Sequence, residues 1–68
     1  MHMEELKTLE ERVLEEVVEK GQEVRLVFIN GYQARVTIDE FDADALLVSK
    51  DGKPWLVYRH AVSTIDLG

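Results

Sequence analysis

Val57–Ile65 reads Val-Tyr-Arg-His-Ala-Val-Ser-Thr-Ile and is the most informative segment of the chain. A Tyr-basic-His triplet stands ahead of a segment with the pattern Ala-aliphatic-Ser-Thr-aliphatic. Because β-branched and aromatic residues favour strands, we expect one strand from Pro54 to Arg59 and a second from Ala61 to Asp66. The proline fits only a strand start or a sheet edge, since it has no N–H to donate to the sheet. The C-terminal part of the chain is therefore predicted to form two short strands.

The residues before this stretch alternate between strand-favouring segments and tight-turn dipeptides. Asn30-Gly31 and Asp51-Gly52 are dipeptides of the kind that joins antiparallel strands in hairpins. Together with the two strands above, the pattern predicts a meander of five short strands. The three further strands are Val24–Ile29, Gln33–Phe41 and Ala45–Lys50.

The N-terminal part of the chain has the periodicity of an amphipathic helix. Apolar residues recur at spacings of three and four, at Leu6, Leu9, Val13, Leu14, Val17 and Val18. They predict a helix from about Glu4 to Lys20, with Gly21 as its left-handed C-terminal cap. A helix followed by five strands predicts a mainly β domain with one α-helix, spanning residues 4–68.

Length and composition point to a small domain that oligomerises. The chain has 68 residues and no cysteine. A domain of this size buries only about 60% of its unfolded surface, and no disulfide or thiolate metal site can stabilise it. With neither a signal peptide nor an apolar run near the roughly 20 residues that span a bilayer, we expect a cytoplasmic protein that does not enter membranes. Residues 1–3 are expected to be a cloning remnant or a disordered start, with Met3 as the natural first residue.

Three segments in the same order resemble the Hfq family, the bacterial Sm-like (LSm) RNA chaperones. Val57–Ile65 is similar to the family's second signature segment, Phe28–Gln33 to its first turn, and Ile38–Asp42 to its aliphatic-acidic-x-aromatic-Asp segment. The resemblance covers about Glu10–Asp66. It implies an Sm-like fold, in which a strongly bent antiparallel sheet forms a small open barrel. It also implies a homo-oligomer, a hexameric ring closed by pairing between edge strands of neighbours.

The resemblance implies one RNA site on the helix-bearing face, near the pore of the ring, where the family binds uridine-rich RNA. There Arg59 and His60 would donate hydrogen bonds to base and phosphate, and Tyr58 would bridge subunits. Ala43 and Asp44 stand where the family commonly has an amide and an aromatic residue, so we expect weak binding of uridine tracts. On the residues alone, an alternative stays open in which Tyr58 and His60 are packing residues and Arg59 is a paired charge.

A second RNA site, for purine-rich tracts, is implied on the opposite face around the first turn. Tyr32 would stack on adenine, Gln33 would pair with the base edge, and Arg35 would meet a phosphate. The alternative is that Tyr32 simply covers the sheet edge at the turn. This face fits the family better than the pore face does. Single-stranded RNA, from small regulatory RNAs or from mRNA, is therefore the expected partner.

Net charge argues against easy RNA encounter. The chain carries −6, and the predicted helix at 4–20 holds seven acidic and three basic residues. A ring of such chains would repel RNA at long range, so only local basic patches could bind it. A second hypothesis follows, in which an acidic Sm-like ring is a protein-interaction scaffold whose helices dock a basic partner, with weak or no RNA binding.

Nothing in the residue pattern favours an enzyme or a cofactor. His60 and Ser63 are three apart, so on one continuous strand they would point to opposite faces and could not form a nucleophile–base pair. Asp42 and Asp44 lack the glycine and the distal glutamate of a calcium loop. We therefore predict no catalytic residue, metal or cofactor, and expect Asp42 to accept backbone hydrogen bonds at its turn.

Overall fold

The computed structural model describes residues 7–68 and shows one helix followed by five antiparallel strands, as predicted. Each predicted strand is present, with both ends within one residue of the expected position. The predicted helical residues 4–6 and the predicted remnant at 1–3 lie outside the described residues. The elements are α1 (Leu9–Lys20), β1 (Glu23–Phe28), β2 (Gln33–Phe41), β3 (Ala45–Lys50), β4 (Lys53–Tyr58), a 3₁₀ turn (Arg59–Ala61) and β5 (Val62–Asp66).

The helix begins later than its apolar periodicity indicates, so the prediction was wrong for residues 7 and 8. Thr8 has extended backbone, and its side chain accepts a hydrogen bond from the N–H of Glu11 at 3.1 Å. The Glu11 carboxylate in turn accepts the N–H of Thr8 at 3.0 Å. This capping box satisfies two of the free N–H groups at the helix start, and the helix begins at Leu9. At the other end Gly21 is left-handed, with φ of 63°, which confirms the predicted cap.

The strands form one sheet in the order β4-β3-β2-β1-β5, so β4 and β5 are its edges. Pro54 lies on an edge strand, where its missing N–H leaves no gap inside the sheet. The register shifts between Ile38 and Glu40 in the β2–β3 pair, and between Val27 and Phe28 in the β1–β5 pair. Such irregularities bend strands and increase twist. They let the sheet curve around its own apolar face.

The core lies between the concave face of this sheet and one side of α1. Alternate residues of β1, β2 and β3 point inward, and Leu14 and Val17 of the helix cover them from one end. Within residues 7–68 every buried side chain is apolar, so the core there buries no polar side-chain atom that would need a hydrogen-bond partner. The buried residues are Leu14, Val17, Val24, Leu26, Val36, Ile38, Leu46 and Val48.

The 3₁₀ turn at Arg59–Ala61 separates the last two strands. The sequence predicts Arg59 in one strand and Ala61 in the next, and both predictions are wrong. The assumption of one continuous strand through His60 and Ser63 was also wrong, because the turn redirects the chain between them. Within residues 7–68, no helix has the length and apolarity needed to cross a membrane.

Candidate nucleic-acid interface

The 3₁₀ turn brings Tyr58, Arg59 and His60 to one open groove beside the helix. The groove is also lined by the first turn of α1 and by the β2–β3 turn. The three residues predicted for the pore face therefore line one groove, where elements from both ends of the chain meet. We call this the helix-side groove, and its lining residues are Glu10, Ala43, Asp44, Tyr58, Arg59 and His60.

Two rings in the helix-side groove are open to solvent. Tyr58 and His60 stack with ring centroids 5.8 Å apart and an interplanar angle of 22°. Both side chains are exposed. An exposed ring offers a face on which a base can stack, and the imidazole adds a hydrogen-bonding nitrogen.

The third residue, Arg59, is engaged by the protein itself. Its guanidinium forms an ion pair with the Glu10 carboxylate and donates a hydrogen bond to the backbone carbonyl of Asp42. Its backbone N–H donates to the carbonyl of Asp44 at 2.8 Å. Only 16% of its side chain is exposed. The interpretation of Arg59 as a paired charge therefore describes its contacts in the isolated chain.

Asp42 holds the β2–β3 turn, as predicted. Its carboxylate accepts the N–H of Asp44 at 2.8 Å and the N–H of Ala45 at 2.9 Å. These two hydrogen bonds favour the charged form and lower the pKa of Asp42; burial opposes the shift, and the charge of Arg59 adds to it. The Asp44 side chain is left exposed in the helix-side groove, where it adds a negative charge.

Two of the residues predicted for the opposite face, Gln33 and Arg35, lie together on the solvent face of β2. Arg35 stands directly opposite Arg25 of β1, and Gln33 is two residues before it on the same face. Each arginine is paired with an acid: Arg35 with Glu23 at 3.3 Å, and Arg25 with Asp66. We call Arg25, Gln33 and Arg35 the arginine surface. All three side chains are exposed.

Tyr32 points away from the arginine surface. Its ring packs against Phe28 at 5.8 Å between centroids and lines an apolar pocket at the open end of the core. Trp55 lines the same pocket, because it pairs with buried Val48 and so shares the inner face of the sheet. More than half of each side chain is exposed, 60% for Tyr32 and 53% for Trp55. We call this the aromatic pocket; Lys50 also lines it.

Three residues of these surfaces were not predicted from the sequence: Glu10, Arg25 and Trp55. A signal existed for Trp55, since the Asp51-Gly52 turn sets a hairpin register that places it opposite Val48. The same argument through Asn30-Gly31 would have placed Arg25 opposite Arg35. Glu10 gave no such signal, because the helix that carries it is far from Arg59 in the sequence.

The described residues contain no cluster that could hold a metal ion. Within 7–68, no three His, Asp or Glu side chains converge. The surfaces described above instead combine exposed rings, amides and guanidinium groups. Those are the groups that proteins use to bind single-stranded nucleic acid.

The chain resembles known proteins over most of its length. A family model described as "Hfq protein" matches residues 9–67. The "RNA-binding protein Hfq" of Natranaerobius thermophilus is 39% identical over 60 residues, which cover 88% of this chain and 71% of that protein. The protein of the same name from Desulforamulus reducens is 35% identical over 58 residues, which cover 85% of this chain and 72% of that protein. A crystal structure of the pleiotropic translational regulator Hfq matches with a TM-score of 0.84 and 32% identity, covering 87% of this chain and 98% of that one. The chain therefore belongs to the Hfq family.

Proposed function

We propose that this protein is an Sm-like ring that binds single-stranded RNA without catalysis, as an RNA chaperone or post-transcriptional regulator. The relatives that bear the name RNA-binding protein Hfq support RNA as the ligand class. The aromatic pocket is the observation that supports this side of the molecule as the RNA-binding surface. Tyr32 and Trp55 are both more than half exposed there, in positions where a core would normally bury an aromatic ring.

The arrangement around the β1–β2 turn favours A-rich RNA on this side of the molecule. The turn separates the aromatic pocket from the arginine surface, so an RNA strand that passes over the turn can contact both surfaces. Bases would stack on Tyr32 and Trp55, Gln33 would contact a base edge, and Arg35 would contact a phosphate. Stacking is tolerant of sequence, and the amide adds a preference for adenine.

The helix-side groove is the weaker candidate for RNA. Tyr58 and His60 are available there, but the guanidinium of Arg59 is held by Glu10. Asp44 adds a negative charge and Ala43 offers no ring, so a uridine in this groove would gain little. We therefore expect oligo(U) to bind less tightly than oligo(A).

The two edges of the sheet support assembly into a ring. β4 and β5 each leave a row of backbone N–H and C=O groups without a sheet partner in the single chain. Pairing β4 of one copy with β5 of the next would satisfy both edges, and repetition around six copies would close the ring. Exposed Leu56 on β4 would gain burial in such a contact.

The mechanism requires only that several binding sites on one ring act together and raise the local concentration of RNA. Each subunit would hold a short stretch of RNA, and linked weak contacts raise the overall affinity without any new chemistry. Two RNAs held on one ring would meet at a high local concentration. The proposal places this activity in the cytoplasm, where regulatory RNAs and mRNAs are found together.

Fluorescence anisotropy tests the proposal, with labelled oligo(A) and oligo(U) at low and physiological salt and with ring size fixed by light scattering. Wild-type protein should bind oligo(A) more tightly than oligo(U) at both salt concentrations. Tyr32→Ala should weaken oligo(A) binding at least about fivefold, the low end of what one stacked base contributes, and Tyr32→Phe should not. Unchanged oligo(A) affinity in Tyr32→Ala would contradict the assigned surface. Absence of binding to either RNA would favour a protein-interaction scaffold.

A further inference from the structure

Glu10 is a helix residue whose side chain lines the helix-side groove. Glu10 lies in the first turn of α1, and its carboxylate forms the ion pair with the guanidinium of Arg59. The Arg59 side chain is 16% exposed, whereas that of Glu10 is 61% exposed. We infer that Glu10 is a specificity-determining residue, which excludes RNA phosphate from this groove by occupying Arg59. This inference rests on the proposed function, since it concerns which RNA surface the protein uses.

A carboxylate and a phosphate compete for the same face of a guanidinium. Both anions bind arginine through charge-assisted hydrogen bonds, often two at once. In this groove the second terminal nitrogen of Arg59, Nη1, is also engaged, because it donates to the Asp42 carbonyl. A phosphate would therefore have to displace Glu10 before it could reach the charge.

Displacing Glu10 would not remove its negative charge from the groove. The carboxylate would stay on the rigid first turn of α1, close to the incoming phosphate. Asp44 lines the same groove and is exposed. Two exposed carboxylates then stand beside a single guanidinium, and they repel a polyanion from the groove.

The helix cap fixes Glu10 in this position. Thr8 and Glu11 close the capping box and so define where the first turn starts. Buried Leu14, one turn further on, anchors that side of the helix in the core. Because Glu10 itself is mostly exposed, its charge can be removed without opening the core.

The test compares Glu10→Gln with Glu19→Gln, which removes the same charge from the far end of the same helix. Glu19 is exposed and does not line the groove. Glu10→Gln should tighten oligo(U) binding about fivefold, the upper range for an exposed ion pair, with oligo(A) binding changed no more than in Glu19→Gln. The control variant should change oligo(U) binding less than about twofold, through long-range charge alone.

A second readout separates phosphate recognition from a purely structural role of the ion pair. A new phosphate contact steepens the dependence of log K on log salt by about 0.7 for a single strand. Glu10→Gln should show this steeper slope for oligo(U). In the double variant Glu10→Gln, Arg59→Ala, both the change of slope and the increase of oligo(U) affinity should be lost. Thermal unfolding of each variant confirms that it is folded.

The outcomes for this inference and for the proposed function are distinguishable. If wild type binds oligo(A) but Glu10→Gln binds oligo(U) no more tightly than wild type does, only the role of Glu10 is overturned. An equal increase of oligo(U) affinity in Glu19→Gln has the same consequence. If Glu10→Gln binds oligo(U) more tightly than wild type does, and wild type does not bind oligo(A), the role of Glu10 is supported and the assigned RNA surface is overturned. No binding by any variant overturns both.

Discussion

At the scale of single residues, Trp55 gives the most direct signal of RNA on the aromatic pocket. It is the one tryptophan in the chain, so intrinsic tryptophan fluorescence reports on this position alone. Because its ring is 53% exposed beside Tyr32, a stacked adenine should quench its emission. We expect saturable quenching by oligo(A) and much less by oligo(U).

Substitution of the same residue measures what the ring contributes. Trp55→Ala should weaken oligo(A) binding by about 1–3 kcal/mol if one base stacks there, and Trp55→Phe should keep most of the affinity. Light scattering on both variants controls for loss of assembly. Equal affinity of Trp55→Ala and wild type in a ring of unchanged size would rule out stacking on Trp55.

Asp42 predicts a pH dependence of stability. Its hydrogen bonds to the Asp44 and Ala45 N–H groups lower its pKa in the folded state, below the ordinary value of about 3.9. The folded state then binds fewer protons than the unfolded state. The stability from this carboxylate is fully present above the unfolded pKa and is lost as pH falls through the folded pKa.

Asp42→Asn isolates this effect, because asparagine keeps an oxygen for the turn but does not titrate. Urea unfolding at a series of pH values should show wild type more stable near neutral pH. The difference between the two proteins should shrink as pH falls below about 4. A difference that stays constant down to that pH would mean that the charge on Asp42 contributes nothing to the turn.

At the scale of elements, the capping box decides where α1 begins and so where Glu10 is placed. Thr8→Ala removes one half of the box and should lower the free energy of unfolding by about 1 kcal/mol, whereas Thr8→Ser should retain the cap. Urea unfolding followed by circular dichroism measures both changes. Equal destabilisation by alanine and serine would indicate that the threonine methyl group, and not the hydroxyl, is what matters.

The elements also show what the sequence could and could not predict. Strand bounds came out within one residue where a turn dipeptide flanks the strand: beside Asn30-Gly31, both ends of β2 were predicted correctly and β1 was displaced by one residue. The helix start was missed because apolar spacing continues through Thr8, and only the Thr-x-x-Glu signature reveals the cap. The 3₁₀ turn was missed because Arg59-His60-Ala61 contains no glycine or proline that would interrupt a strand.

The candidate site was predictable to the extent that it is local in sequence. Tyr58, Arg59 and His60 share a groove because they are consecutive. The sequence prediction grouped Tyr32 with Gln33 and Arg35, and it did not take account of strand alternation, which places neighbouring residues on opposite faces. The contact between Glu10 and Arg59 depends on how the helix docks, and no periodicity in the sequence encodes that.

At the scale of the whole molecule, each chain carries −6, so the proposed ring would repel RNA at a distance while local groups bind it up close. Salt screens the repulsion over about 10 Å at 0.1 M and also weakens each phosphate contact. The two effects fall on different rate constants. Repulsion slows encounter, and the contacts govern dissociation.

Stopped-flow fluorescence with labelled oligo(A) separates the two rates. Between low and physiological salt, the association rate constant should rise for this protein, the reverse of ordinary electrostatic steering toward a basic ring. The dissociation rate constant should rise as well. Glu19→Lys, which changes the charge of each chain from −6 to −4 without touching the assigned surfaces, should speed association at low salt and flatten its salt dependence. A wild-type association rate that falls with added salt would show that the local field of the arginine surface, and not the acidic helix, controls the approach of RNA.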